Sequence, residues 1–367
     1  MSADGSKAQT SIQASGHDAR HELARRWAAL KSATPHLRAR DAAAELQVSE
    51  AELVDSQVGQ NARRLNPAWP DFFAALPGLG RVMALTRNEE AVHERRGAYE
   101  PASFEGHVGL VLGPDIDLRI FLNRWKFLFA IEEPGRKGLM RSLQVFDAQG
   151  TAVHKIYAED ATDLEAWQAL IGRLAVDAPA EPIAVTAATK TAPKSAAVDG
   201  EAFLADWAAL KDTHEFFGFL KRHKVEPIEA FRLAEGRFTT RLSTEGTNDL
   251  LTRAAARTVP IMVFVGNPGL IQIHTGAVAR IERLGPWLNV LDPDFNLHLR
   301  EDRIGETWLV RKPTTDGIVT SVEIFNAEGG RIATFFGKRK PGAPELEAWR
   351  ELAEGLVEGG TPLAGVA

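Results

Sequence analysis

The chain contains ten histidines, four methionines and no cysteine. Metal chemistry therefore falls mainly to imidazole, and disulfide frameworks, zinc knuckles, iron–sulfur clusters, thiolate-ligated centres and cysteine nucleophiles are all excluded. The same absence fits a reducing compartment. His17 and His21 lie in or beside a polar N-terminal stretch, and His36 and His223 lie in polar runs. His93, His107, His154, His274 and His298 fall in or near strand-like segments, where a hydrogen-bonded structural role is expected. His214 differs in context. The run Lys211-Asp212-Thr213-His214-Glu215-Phe216-Phe217 has the form of a helix start, with Asp212 or Thr213 as N-cap and His214 in the first turn. The positive end of the helix dipole favours a neutral imidazole there, the form with a lone pair to give to a metal. Phe216, Phe217, Phe219 and Leu220 would form an apolar wall beside it. A flat apolar cofactor with one open metal position, such as haem, suits that site; a structural first-turn histidine is the other reading.

A second feature is the strand-like run Asp117-Leu118-Arg119-Ile120-Phe121-Leu122. Alternation places Leu118, Ile120 and Leu122 on one face and Arg119 with Phe121 on the other. A guanidinium beside an aromatic ring can cover a planar ligand; an edge or surface pair is the alternative. Other signatures are missing: no P-loop, HExxH, GxSxG or complete dinucleotide fingerprint occurs. Gly78-Leu79-Gly80 reads as a turn, and Glu89-Glu90 and Glu132-Glu133 as solvated acidic pairs.

The elements that must position these residues occur twice. RWAALK at Arg26–Lys31 returns as DWAALK at Asp206–Lys211, an offset of 180. VFDAQG at Val145–Gly150 returns as IFNAEG at Ile324–Gly329, an offset of 179. Glu165-Ala166-Trp167 returns as Glu347-Ala348-Trp349, an offset of 182. Three blocks in one order at nearly one spacing establish a tandem duplication. The 367 residues then divide into a disordered tail at 1–19, repeats at 20–175 and 201–360, and a solvated Ala/Pro/Thr-rich linker at 176–200. Each repeat reads as an amphipathic helix around Trp27 or Trp207, a second helical segment, consecutive strands without crossover helices, and a closing helix around Trp167 or Trp349. The predicted fold is α+β, each half a large antiparallel sheet with flanking helices. An offset of 179 makes Arg119 and His298 equivalent, so that position carries different chemistry in each half. The net charge of −6 argues against a general nucleic-acid binder. The polar N-terminal stretch lacks the pattern of a signal or transit peptide, and no apolar run reaches membrane-spanning length. The expected location is the cytoplasm.

Taken together the residues resemble the cytoplasmic hemin-degrading and hemin-transport proteins of the HemS/HmuS family. The resemblance runs from about Arg25 to Leu356. It rests on Thr86-Arg87-Asn88-Glu89, Ala91-Val92-His93-Glu94, Gly106-His107-Val108-Gly109-Leu110, Asp117–Trp125 and His214-Glu215-Phe216-Phe217. Met262–Asn267 with Gly269, Trp287-Leu288-Asn289, Arg311-Lys312-Pro313-Thr314 and Gly337-Lys338-Arg339 complete it. It implies hemin (haem b) bound between the two halves, with His214 as proximal iron ligand and Arg119 facing the other side of the iron. Phe121 would line the pocket, and Lys312 and Arg339, with Lys338 beside them, would meet the propionates. An acidic protein needs such a local basic cluster to accept two carboxylates. His214 and Arg119 are also the catalytic residues if the bound hemin is degraded to release iron for iron homeostasis. The alternative is a carrier that receives haem from an inner-membrane ABC importer and hands it to a separate haem oxygenase. Two positions depart from the family pattern: Phe336 stands where several relatives have tyrosine, and Pro227 where some carry a basic residue.

Overall fold

The computed structural model describes residues 4–135, 138–176, 181–187, 198–339 and 342–357. The first repeat supplies α1 (Asp4–Ala33), α2 (Ala39–Leu46), α3 (Glu50–Asp55), β1 (Ala62–Leu65), α4 (Trp69–Ala75), β2 (Gly80–Arg87), β3 (Ala91–Gly97), β4 (Ser103–Glu105), β5 (Val108–Leu112), β6 (Asp117–Phe121), β7 (Phe127–Gly135), β8 (Gly138–Phe146), β9 (Ala152–Thr162) and α5 (Leu164–Leu174). The second supplies α6 (Gly200–Ala208), α7 (Glu215–His223), α8 (Pro227–Leu233), β10 (Thr239–Leu242), α9 (Gly246–Ala256), β11 (Ile261–Asn267), β12 (Leu270–Gly276), β13 (Ile281–Leu284), β14 (Trp287–Leu291), β15 (Phe295–Arg300), β16 (Glu306–Thr314), β17 (Gly317–Phe325), β18 (Arg331–Gly337) and α10 (Glu347–Glu354). The strands make two antiparallel sheets of nine, and the class is α+β as expected.

Two compact units form. Unit one is Met1–Thr86, Arg96–Thr189 and Asn267–Leu270; unit two is Arg87–Arg95, Lys190–Gly266 and Ile271–Ala367. Each repeat therefore lends a short segment to the unit built mainly from the other. In unit one the strand order β1-β7-β8-β9-β2 recurs in unit two as β10-β16-β17-β18-β11. The register recurs as well. Phe127 faces Phe146 in one hairpin and Glu306 faces Phe325 in the other. A β-bulge interrupts the next ladder at Val145/Phe146 and again at Ile324/Phe325. The turns after the bulges need a left-handed residue, supplied by Gly150 (φ 78°) and Gly329 (φ 83°). The carboxylate of Asp147 in one turn and the side-chain oxygen of Asn326 in the other accept backbone N–H groups from within it.

The duplicated tryptophans close the cores. Trp167 is buried with Leu128, Val145 and Ile156 in unit one; Trp349 is buried with Leu309, Ile324 and Phe335 in unit two. The Trp349 ring lies so near Gly337 that a Cβ there would meet it at 2.4 Å, so β18 and α10 pack at a distance only glycine permits. The lent segments are part of these cores: Leu270 is buried in unit one and Ala91 in unit two, and the two are equivalent positions of the repeat. In unit two, β3 pairs with β15, with Leu297 opposite His93. In unit one the Gly269 carbonyl accepts the Phe121 N–H at 3.0 Å and the Trp125 indole N–H at 2.8 Å.

Two expectations change. Helix α1 begins at Asp4, inside the stretch assigned to a disordered tail; Ala8, Gln9, Gln13 and Ala14 are good helix formers. The linker is extended, but its described part is not freely solvated. Arg20 and Arg64 donate to the Glu181 carbonyl, the Ile183 N–H donates to Asp55, and the Thr186 N–H donates to the Ala148 carbonyl. Ile183 packs on the cluster of Phe129, Ile131 and Phe146. Residues 177–180 and 188–197 of the linker, and 358–360 at the end of the second repeat, lie outside the described residues.

Candidate functional site

Helix α6 is capped by Asp199, whose carboxylate accepts the N–H groups of Glu201 and Ala202. After it the chain turns through Lys211–His214 into α7. His214 is not in the first turn but is the N-cap itself, with φ −68° and ψ −24°. That conformation lets one Asp212 oxygen accept both the His214 backbone N–H at 2.8 Å and Nδ1 at 2.6 Å. The Glu215 carboxylate accepts the Lys211 N–H at 3.0 Å and tightens the same turn. The His214 backbone N–H, and after it the ring N–H, hold the Asp212 carboxyl below the usual carboxylate range. Ionised Asp212 can only accept, so Nδ1 donates to it, and in the neutral ring this leaves the lone pair on Nε2. The imidazole is 84% exposed, so that lone pair is open to an incoming ligand. A carboxylate that fixes one ring nitrogen and leaves the other open is the arrangement that orients metal-ligating histidines. Sequence reasoning considered Asp212 only as a cap; its spacing of two residues before His214 was the available signal.

The expected apolar wall divides. Phe216, Phe219 and Leu220 are buried in unit two, where Phe216 stands 4.8 Å from Trp207 and 5.5 Å from Phe219. Phe217 alone faces outward, 67% exposed, with Lys221 Nζ 4.7 Å from its ring centre. An apolar face is therefore present beside His214, but it is one ring.

The basic residues also differ from one another. Lys312 is buried; its ammonium donates to Glu323 at 2.7 Å and lies 4.5 Å from the Phe216 ring centre and 5.7 Å from that of Phe336. Burial pushes the Lys312 ammonium down. Burial pushes the Glu323 carboxyl up, but Lys312 and Arg331 outweigh it and hold it below its usual range. Lys338 is exposed, its backbone N–H bound to the Pro260 carbonyl. Arg339 makes a long contact of 3.4 Å to Asp316, and its buried Nε has no acceptor among the described residues. Phe336 packs edge-on to Phe264 at 5.2 Å, and Pro227 opens α8 at a position that needs no N–H. Arg232 is ion-paired with Glu306.

Arg119 and Phe121 sit in β6 of unit one, on its half-exposed face; Leu118 and Ile120 on the other face are buried. Leu122 departs from the predicted alternation and begins a short 3-10 turn. The Arg119 guanidinium binds the Asp117 carboxylate and donates to the Leu118 carbonyl at 3.2 Å. Burial pushes the Asp117 carboxyl up although Arg119 opposes it. The sites thus group as Arg119 and Phe121 in unit one, and His214, Lys312, Lys338 and Arg339 in unit two.

Among the histidines given structural roles, His154 is the clearest. It is buried between the Thr86 hydroxyl at 2.9 Å and the Tyr99 hydroxyl at 2.6 Å. His93 and His274 are also buried, His274 stacked on Phe295 at 3.8 Å. No group of three His, Asp or Glu residues that could hold a metal ion occurs among the described residues. A single imidazole with a free Nε2 suits a ligand that brings its own metal.

The model of the haemin-degrading HemS/ChuX domain matches this chain twice, at residues 47–174 and 224–356. The chain belongs to that family. The hemin transport protein HmuS of Yersinia pestis is 40% identical over 340 residues, 91% of this chain and 97% of its own length. Among solved structures, holo-PhuS, a haem-binding protein from Pseudomonas aeruginosa, superposes with a TM-score of 0.89. It is 50% identical over 92% of this chain and 99% of PhuS. The haem-degrading enzyme ChuS of Escherichia coli O157:H7 gives a TM-score of 0.86 at 38% identity, over 92% of this chain and 99% of ChuS. No helix among the described residues is long and apolar enough to cross a membrane.

Proposed function

We propose that this HemS-family chain binds hemin as substrate through His214 and degrades it, releasing iron. The observation that carries the reading is the Asp212–His214 pair: a carboxylate fixes Nδ1–H and leaves Nε2 exposed with its lone pair. Relatives described as haem-binding and haem-degrading support the choice of ligand and reaction. Haem supplies the iron and the oxidising chemistry; the protein contributes binding, orientation and hydrogen bonding. Arg119 supplies a guanidinium and Phe121 a ring to the haem, and Lys338 and Arg339 supply cations for the propionates. Lys312 contributes field rather than a direct contact, since its ammonium already donates to Glu323. The cytoplasm is the setting this reaction fits.

The second reading is a carrier that takes hemin from an inner-membrane importer and passes it intact to an oxygenase. It is favoured by the relatives described as hemin transport proteins. Hemin titration followed by a physiological reductant, under oxygen with catalase present, separates the two. Loss of the Soret band with bilin and free iron marks degradation. A stable Soret band with fast transfer to another haem protein marks carriage. An unchanged hemin spectrum in His214→Ala would overturn the ligand assignment.

A further inference from the structure

A cavity of about 490 Å³ opens in unit one where β1, β7 and α5 meet, walled by Asn61, Arg63, Ala130, Glu132, Leu139 and Ile171. Its origin lies in divergence between the repeats. In unit two the matching corner is closed by an ion pair: Arg311 of β16 binds Glu354 of α10, its Nε donating at 2.7 Å, and donates to Thr240 of β10 at 3.0 Å. In unit one the position of Arg311 is Glu132, that of Glu354 is Gly172, and that of Thr240 is Arg63. The position of Phe238, which in unit two is buried and stacked on Trp207, is Asn61 in unit one. A Cβ on Gly172 would meet nothing within 4 Å. The ion pair that fills the corner in one copy is absent from the other.

The chemistry left behind is that of a binding site. Asn61 Oδ1 is buried and accepts no hydrogen bond among the described residues. Such an oxygen is costly unless a ligand or water donates to it. Exposed Arg63 has no ion pair among the described residues, whereas Glu132 is already paired with Arg141 at 3.0 Å. Ala130, Leu139 and Ile171 offer apolar surface. The volume lies within the range of small-molecule sites. We infer that this cavity binds a small amphipathic anion that carries an N–H or O–H donor for Asn61, an acidic group for Arg63 and an apolar body for the wall. None of the lining residues is among those proposed to bind hemin, and the site does not depend on that reading.

8-Anilinonaphthalene-1-sulfonate has all three features and serves as the probe, titrated into the full chain by fluorescence and calorimetry. The parent protein should show a saturable site. Grafting the ion pair of unit two with Glu132→Arg and Gly172→Glu should abolish it, and Arg63→Glu should weaken it at least 10-fold. Both variants should keep the parent's thermal midpoint within a few degrees. An unchanged probe isotherm in Arg63→Glu, or in a folded double variant, would overturn the inference, as would no saturable site in the parent. Should the double variant fail to fold, Arg63→Glu decides alone, because that side chain is exposed.

Discussion

Asn88 and Asn267 stand at equivalent positions of the two repeats and make the same connection in the two units. The Asn88 side-chain oxygen accepts the N–H groups of Glu90 and Ala91, while its amide donates to the carbonyls of Gly266 and Ile332. The Asn267 oxygen accepts from Gly269 and Leu270, and its amide donates to the Val153 carbonyl. Each asparagine shapes the turn of a lent segment and ties that segment to strands of the receiving unit. Replacing Asn88 with Ala leaves at least two part-buried carbonyls without their donor. The loss is about 1–3 kcal/mol per group, and calorimetry of Asn88→Ala and Asn267→Ala should show both transitions lowered.

The buried histidines make stability depend on pH. Burial lowers His154 to about 3 and His274 to about 3, and it holds His93 well below its usual value. The folded protein therefore keeps these rings neutral where the unfolded chain, at about 6.5, would protonate them. Their contribution is fully present above about pH 6.5 and is lost as pH falls from there toward 3. Urea unfolding between pH 7 and 4.5 should show stability declining by up to about 1.4 kcal/mol per pH unit for each ring. His154→Gln should flatten that slope, and an unchanged slope would count against the assignment.

Lys312 and Glu323 separate folding from ligand binding. Lys312→Ala leaves the buried Glu323 carboxylate with only Arg331 and the Ser321 hydroxyl, which is destabilising by up to about 3–5 kcal/mol. Lys312→Met with Glu323→Leu removes both charges and should recover most of that loss. If Lys312 contributes only field, the double variant should bind hemin within a few-fold of the parent. A loss of 100-fold in a protein with the parent's melting temperature would instead give Lys312 a direct contact.

Asp55 anchors the described part of the linker. Its buried carboxylate accepts from Arg20, Arg64 and the Ile183 N–H. Asp55→Ala should remove the carboxylate that Arg20, Arg64 and the Ile183 N–H share and so loosen residues 181–187. Limited proteolysis should then cut near Ile183 several-fold faster than in the parent, with the cut site read by mass spectrometry.

Much of this was legible in the residues. The duplicated Trp27/Trp207 and Trp167/Trp349 pointed to the two-copy plan because large buried side chains fix where helices pack. The exchange of Arg87–Arg95 and Asn267–Leu270 was not legible. Strand β3 carries Glu94, Arg95 and Arg96 in succession, which masks its alternation, and its pairing with β15 of the other repeat is decided by tertiary contact. His214 stood out through its flanking residues, but the two bonds to Asp212 depend on the backbone angles at His214 itself. Lys312 was expected to meet the propionates, and its burial was not legible because a charged residue is seldom fully buried unless it is paired. Only the fold shows Glu323 beside it.

The lent segments have a consequence for biosynthesis. Unit one is incomplete until Asn267–Leu270 has left the ribosome, because the Trp125 indole N–H has its acceptor on Gly269. Unit two in turn must recover Arg87–Arg95 from a stretch synthesised well before its own first helix. Neither copy of the duplication carries every segment of its own unit. A nascent chain stalled before residue 267 leaves the Trp125 indole N–H without its acceptor, and fission of the gene at the linker would yield two fragments, each lacking a segment that the other carries.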